Sequence, residues 1–392
     1  QQQSENNNYA ERIYPPQLSE HSVNQYVTEY QNNHYAPIVI PTLCRSTHFK
    51  RLIRSLSQNP WARYTEVFVG LDYPPSVQYQ KGWEEIRDYL RDADLSAFKA
   101  LHVIEREKNY GYFKNTDDLR ELVFKGHDRY ILLSDDLEVS PNFIEYMDKA
   151  LDRYAEDERV AVVCGYSYPV KWHTQPEATC LLQNVNAAEW GIGFWKKKDK
   201  TIREYIERGG IYDELKDAIH RETPQKMIDP CRREFICGTC LPRFMQRPNS
   251  FLRTVCDISL RIYLAVRGKY AVSPVISKVR QHGFDGTGLY CGKIDTSLNG
   301  NTAGTYNYPA QPIDTSSSFT LVEDTIHDDR ENLIRLNAFD GRTGKEMART
   351  RHLIWILKNI GTGAAKVYGM IMFMIDIPGR AARKIMRKIG RG

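Results

Sequence analysis

The sequence predicts an α/β fold with a mostly parallel sheet flanked by helices. Two observations carry this. Short runs rich in β-branched residues recur between residues 36 and 164, and stretches with apolar residues at helical spacing separate them. Such alternation builds βαβ units, whose strands run parallel because a crossover helix joins them. A third observation is composition. Of 392 residues, 41% are hydrophobic and 26% charged, enough for a core and against wholesale disorder.

Residues 1–35 read as a partly disordered N-terminal extension, polar at 1–10 and with a short amphipathic helix near Ser22–Tyr30. Ala36–Leu43 is an apolar run that predicts a buried strand. Ser46 is placed to cap a helix to Gln58, with Phe49, Leu52, Ile53 and Leu56 on one face. Glu66–Leu71 predicts a strand ending at Asp72, and Tyr79–Arg91 a helix. Ala100–Ile104 follows as a strand, and Asn115–Phe124 as a helix opened by Asn-Thr-Asp-Asp. Arg129–Leu133 predicts a strand ending in Ser134-Asp135-Asp136. Ser140-Pro141 opens a helix to Tyr154, and Arg159–Cys164 closes the series as a strand. Beyond 170 the pattern turns irregular, with helices expected near 199–219, 251–267 and 323–338 and a Gly/Asn/Thr/Ser-rich loop over 283–318.

The net charge of +5 hides an asymmetry. Residues 351–392 hold nine Lys/Arg against Asp376, a tail of +8 that leaves the body at −3. A nucleic-acid-binding surface would instead spread basic charge over the folded body. The eight cysteines (44, 164, 180, 231, 237, 240, 256, 291) include one CxxC at 237–240 but no zinc-finger spacing, so buried thiols or a few non-functional surface cysteines are expected over a metal site. No Asn-x-Ser/Thr acceptor occurs, which favours a chain that stays out of a glycosylating lumen.

Ligands of a parallel α/β sheet bind beyond the carboxyl ends of its strands. Arg45, Asp72 and the Asp135-Asp136 pair fall there. Adjacent carboxylates repel unless a cation or donors compensate them. Mg²⁺ is commonly held by one or two carboxylates plus substrate phosphates, so the pair points to a metal bridging to a diphosphate. A solvated turn and helix cap is the alternative. Arg45 suits phosphates or a base, and Asp72 a base N–H or ribose hydroxyl.

Five segments, in order over residues 36–292, carry a family resemblance: VIPTLCRSTHFKRLIRSL, VFVGLDYPP, ILLSDDLEVSPNF, EWGIGFW and HGFDGTGLYCG. Together they resemble nucleotide-sugar glycosyltransferases of the GT-A (Rossmann-like) fold. The similarity is to the N-acetylglucosaminyltransferase I group and to bacterial capsule and O-antigen transferases. The resemblance implies Mn²⁺ or Mg²⁺ on Asp136, and donor-nucleotide contacts by Asp135, Arg45 and Asp72. It also implies a UDP-sugar donor and an inverting transfer to a saccharide acceptor. Ser134 stands where the family usually carries an acid. An inverting transfer needs a carboxylate base, and both Glu189 and Asp257 qualify, Asp257 also as the partner of a helix salt bridge with Arg261. His282 is either a further metal or diphosphate contact or a structural residue. Trp190 and Trp195 are either acceptor-stacking rings or core. On this reading residues 36–170 form the nucleotide-sugar half and 171–350 the acceptor half with wrapping loops.

Residues 351–392 form a basic, amphipathic tail. Leu353–Ile377 could span a bilayer only with Lys366 near its centre, at about 2.5–3.5 kcal/mol on insertion scales. An interfacial segment avoids that cost, and the six cations from Arg380 to Arg391 would each add about 1 kcal/mol at an anionic leaflet. The expectation is a peripheral protein on the cytoplasmic face of a membrane with a lipid-linked acceptor. Two rival classes stay open. A sugar-phosphate nucleotidyltransferase would open with a Gly-rich loop, which PTLCRST lacks. The other is a non-catalytic, membrane-docked carbohydrate- or nucleotide-binding module.

Overall fold

The computed structural model describes residues 9–14, 35–184, 187–208, 255–288, 308–324, 329–339, 344–361, 363–365, 367–368 and 371. The chain divides into two compact units, 1–200 with 270–327 and 201–269 with 328–392. Strands on both sides of residue 170 share one sheet.

In the first unit the strands are β1 (Tyr9–Tyr14), β2 (Ile38–Thr42), β3 (Glu66–Leu71), β4 (Ala100–Arg106) and β5 (Arg129–Leu132). They continue as β6 (Leu137–Val139), β7 (Val160–Cys164), β8 (Cys180–Gln183), β9 (Ile192–Trp195), β10 (Tyr270–Pro274) and β11 (Val279–Gln281). Helices α1 (Ser46–Ser57), α2 (Val77–Asp92), α3 (Gly111–Val123) and α4 (Phe143–Arg153) separate the early strands, and α5 (Lys196–Glu207) follows β9. The main sheet has the order β1-β4-β3-β2-β5-β9-β7-β10-β8. Pairing is parallel along β4-β3-β2-β5 and at β7-β10, and antiparallel wherever β1, β8 or β9 takes part. Six of the nine strands therefore run one way, as the βαβ pattern predicts. β6 and β11 form a separate antiparallel pair.

The apolar stripe of α1 explains its docking. Phe49, Leu52, Ile53 and Leu56 are buried, each side chain contributing about 1.5–3 kcal/mol by leaving water. Ser46 does not cap this helix. It is the first helical residue, and its hydroxyl donates to Glu85 instead. Helix α3 begins at Gly111, four residues before the predicted start, because Asn115 is not a cap either. Asn115 is buried, donates to the Gly70 carbonyl (2.8 Å) and accepts from Arg106 (2.9 Å), pinning α3 to β3 and β4.

The irregular-looking region after 170 supplies β8, β9 and β10. EWGIGFW contains a strand between β5 and β7. A Cβ on Gly193 would stand 3.0 Å from Met147 and 3.2 Å from Leu151, so the absent side chain lets α4 press onto β9. At the other end of the sheet order, residues 9 and 10 begin an edge strand on β4 rather than continuing the expected disorder. The candidate helix near 22–30 lies outside the described residues.

In the second unit the described helices are α6 (Asp257–Arg267), α7 (Asp329–Phe339) and α8 (Gly344–Asn359). Among the described residues no helix is long and apolar enough to cross a membrane. Leu353, Ile354 and Ile356 are buried, whereas Trp355, Ile360, Val367 and Ile371 are exposed. The six cations from Arg380 onward lie outside the described residues.

Candidate functional site

The sheet order turns at β2. β3 and β4 lie to one side of it and β5, later in the chain, to the other, which opens a crevice at the carboxyl ends of β2 and β5. The Thr42 hydroxyl, on the last residue of β2, donates to Asp135 Oδ2 at 2.9 Å. Arg45 enters from the turn before α1, paired through Nη2 with Asp135 and through Nη1 with Asp136 at 2.8 Å. Three strand-end groups predicted from sequence therefore do meet. Thr42 joins them without a sequence signal, being one more β-branched residue in a strand.

The electrostatics are incomplete. Both carboxylates are buried, at 6% and 5% exposure, and one guanidinium serves the two. Burial raises the Asp135 pKa and Asp136 pushes it further, while Arg45 pulls it back; the net direction is up. Asp136 Oδ1 is buried with no hydrogen-bond partner among the described residues. An orphaned buried acceptor costs about 1–3 kcal/mol, more when charged, so an uncompensated oxygen here is a strain that a ligand would relieve. Gly283 packs against the same side chain, where a Cβ would stand 2.1 Å from Asp136 Oδ2. That contact accounts for a glycine inside the HGFDG segment.

A divalent ion fits this donor set. Among the described residues no group of three or more His, Cys, Asp or Glu is placed to hold a metal. One hard carboxylate oxygen with vacant coordination suits an ion that takes its remaining ligands from substrate and water. His282 is not aimed at such an ion. Its Nε2 lies 2.8 Å from Glu138 Oε2, and its backbone N–H donates to the Asp136 carbonyl at 2.9 Å. The histidine thus ties the β6–β11 pair to the Asp135-Asp136 segment, and its hydrogen bond lowers the Glu138 pKa.

Asp72 also sits at a strand end, with its acceptor capacity largely filled. It accepts from the N–H groups of Tyr73 (3.0 Å), Tyr110 (2.8 Å) and Gly111 (2.8 Å), and from Asn109 Nδ2 (3.2 Å). Desolvation nevertheless raises its pKa. Its observed work is to tie down the start of α3, where Gly111 has φ +72°. That turn places Tyr112, which the sequence did not single out. Burial, then the charges of Glu189, Asp136 and Asp135, push the Tyr112 pKa up.

Glu189 lies at the same end of the sheet. Ile192 pairs with Leu132 in antiparallel register, so the residues before Ile192 lie beside those leaving β5. Asp257 opens α6 in the second unit, 4.0 Å from Arg261, the helix pair the spacing allowed. Trp195 takes the core alternative. It is 5% exposed, with its indole N–H on the Leu151 carbonyl at 2.9 Å. Trp190 is half-buried beside Glu189, among other rings. Cys164, Cys180 and Cys256 are buried free thiols and Cys44 is a half-buried one; Cys231, Cys237, Cys240 and Cys291 lie outside the described residues.

No protein-family model matches the sequence, and a search of curated proteins finds no match. Among solved structures the chain is similar to TarS of S. aureus, at 16% identity over 42% of this chain and 29% of that one, with a TM-score of 0.29. A second TarS structure, of residues 1–349, matches at 18% identity over 42% and 49%, with a TM-score of 0.28. The mannosyltransferase PcManGT from Pyrobaculum calidifontis, in complex with GDP-Man and Mn2+, matches at 12% identity over 59% and 71%, with a TM-score of 0.30. The chain thus spans less than half the length of either TarS chain. Likenesses this distant do not carry a function, which has to come from the site.

Proposed function

We propose that this chain is a metal-dependent, inverting glycosyltransferase of the GT-A fold. It moves a hexosyl or N-acetylhexosaminyl group from a nucleoside-diphosphate donor, UDP by preference, to a saccharide acceptor in polysaccharide assembly. The observation that carries the reading is the Asp135-Asp136 pair at the crevice, with one buried oxygen left without a partner.

Asp136 is the residue that would hold Mn²⁺ or Mg²⁺, with donor phosphate oxygens completing the ligand set. Such an ion supplies positive charge against the departing diphosphate. Arg45 and Asp135 are proposed nucleotide contacts. Asp72 acts chiefly by fixing the Asn109–Gly111 turn at the crevice edge, where that turn can meet a base or ribose.

In the transfer, the acceptor hydroxyl oxygen bonds to the anomeric carbon as the bond from that carbon to the phosphate oxygen breaks. The nucleoside diphosphate leaves, and the hydroxyl proton passes to a carboxylate. Glu189 is the base we favour over Asp257, because the β5–β9 register puts it at the carboxyl end of β5, beside the residues that lead into Asp135-Asp136. The exposed Trp355, Ile360, Val367 and Ile371, followed by the basic tail, support peripheral docking on a membrane that holds a lipid-linked acceptor.

Release of UDP from UDP-sugars, with and without Mn²⁺, tests the reading. Metal-dependent release by the wild type and its loss in Asp136→Ala are expected. Pyrophosphate formation from a nucleoside triphosphate would mean a nucleotidyltransferase. Binding that survives Asp136→Ala with no turnover in either protein would mean a binding module.

A further inference from the structure

A short loop, residues 282–288, runs on from β11 past Asp136. Its root is held. Gln281 pairs with Leu137 of β6, and Arg280 donates to the Gln311 carbonyl of the strap 308–324 at 2.8 Å. The His282 N–H then donates to the Asp136 carbonyl at 2.9 Å, and Gly283 packs against Asp136 Oδ2. Further along, the loop meets α1. His48 Nε2 lies 3.3 Å from the His282 carbonyl oxygen and 3.2 Å from Asp285 Oδ2. Both partners are acceptors, so Nε2 carries the hydrogen and shares it between them.

Asp285 is preset for this contact. Its Oδ1 accepts from the Thr287 N–H (2.9 Å) and hydroxyl (2.7 Å), which leaves Oδ2 to face His48. The turn so closed runs through Gly286 at φ +89°. His48 follows Arg45 by three residues, the spacing that brings two side chains to one face of a helix. The start of α1 therefore reaches Asp136 by two routes. Arg45 does so directly, 2.8 Å from Oδ2, and His48 does so through the loop. Both routes act on the Oδ2 side, whereas Oδ1 is the atom with no hydrogen-bond partner among the described residues.

We propose that His48 and Asp285 are positioning residues for a divalent cation on Asp136. Their clamp keeps Gly283 against Oδ2, which fixes the rotation of the carboxylate and commits Oδ1 to the ion. The inference rests on the transferase reading and adds to it a pair that acts through Asp136. Groups that orient a metal's ligand change its affinity by about ten- to a hundredfold without coordinating it. An ion pair with only a structural role would bear on stability and leave metal affinity alone.

Two measurements on the full chain test the clamp. Amide hydrogen exchange over residues 280–288, with no metal added, should be about tenfold faster in His48→Ala than in wild type. Titration of Mn²⁺ in the presence of UDP, followed by the electron paramagnetic resonance of the free ion, should show an affinity about tenfold weaker. His48→Gln, whose amide N–H falls near the place of Nε2, should restore both. Melting temperatures of the variants are expected within about 3 °C of wild type. Should His48→Ala fail to fold, Asp285→Ser decides in its place, because serine can keep the turn to Thr287 but is too short to reach His48. Unchanged exchange, or faster exchange with unchanged Mn²⁺ affinity, would overturn the clamp and leave the transferase reading standing. A wild type that binds no Mn²⁺ would sink that reading and the positioning role together.

Discussion

Two buried groups of cations and carboxylates in the first unit invite comparison. Lys278 is 2% exposed and complete in its contacts, pairing with Asp314, donating to Asn142 Oδ1 at 3.1 Å and lying 4.4 Å from the Phe319 ring centre. Asp314 accepts in addition from Asn142 Nδ2 (3.0 Å) and Ser316 N–H (2.8 Å). Arg45, by contrast, is shared between two carboxylates, and Asp136 Oδ1 has no hydrogen-bond partner among the described residues. The first cluster is closed and braces the strap. The second is open, and what it lacks is positive charge at a crevice. Completeness of hydrogen bonding, more than burial or charge count, separates the brace from the candidate site.

The largest expected effect breaks the closed cluster. Asp314→Ala leaves Lys278 buried and unpaired, and should cost about 3–5 kcal/mol in urea unfolding. Asp136→Ala removes an under-satisfied group and should stay within about 1 kcal/mol of wild type in the same measurement. Equal losses would abolish the distinction. Turnover should rank the two the other way. Asp136→Ala is expected to lower kcat at least about a hundredfold, while Asp314→Asn, assayed where it remains folded, should stay within about tenfold of wild type.

The smallest effect concerns pH, and the two clusters should carry opposite signs. Burial opposes ionisation of Asp314, but Asn142 and Lys278 hold its pKa below the ordinary carboxylate range. Its contribution is therefore present above about pH 4, the unfolded value, and is lost as the pH falls toward its folded value. Asp135 is raised, chiefly by burial, so its contribution is present below about pH 4 and is lost as the pH rises through its folded value. Unfolding free energies between pH 3 and 7 should show Asp135→Asn flattening a loss that Asp314→Asn leaves in place, on the order of 1 kcal/mol. Parallel pH profiles for the two variants would contradict this.

What the sequence made legible follows the same divide between local and long-range causes. Strands β2, β3, β4, β5 and β7 are runs of Val, Ile and Leu, and their ends mark Arg45, Asp72 and Asp135-Asp136 directly. β8, β9 and β10 escaped because CLLQ, IGFW and YAVSP lie where no strand–helix alternation frames them, and the glycine in β9 answers to Met147 and Leu151 rather than to its neighbours. Asn115 reads as a cap by residue type, yet Gly70 and Arg106 decide its role from 45 and 9 residues away. Tyr112 carried no periodic signal at all. Its placement depends on the turn that Asp72 holds at Tyr110 and Gly111, a partner visible only once the chain has folded.

The most direct test of the central claim is the thermal shift caused by UDP, with and without Mn²⁺, in wild type and Asp136→Ala. Ligand at a hundred times its Kd should add about 2.7 kcal/mol to the folded state. The account predicts a wild-type rise in Tm that requires the metal and disappears in Asp136→Ala. A UDP shift of equal size without metal, or one that persists in Asp136→Ala, would contradict it.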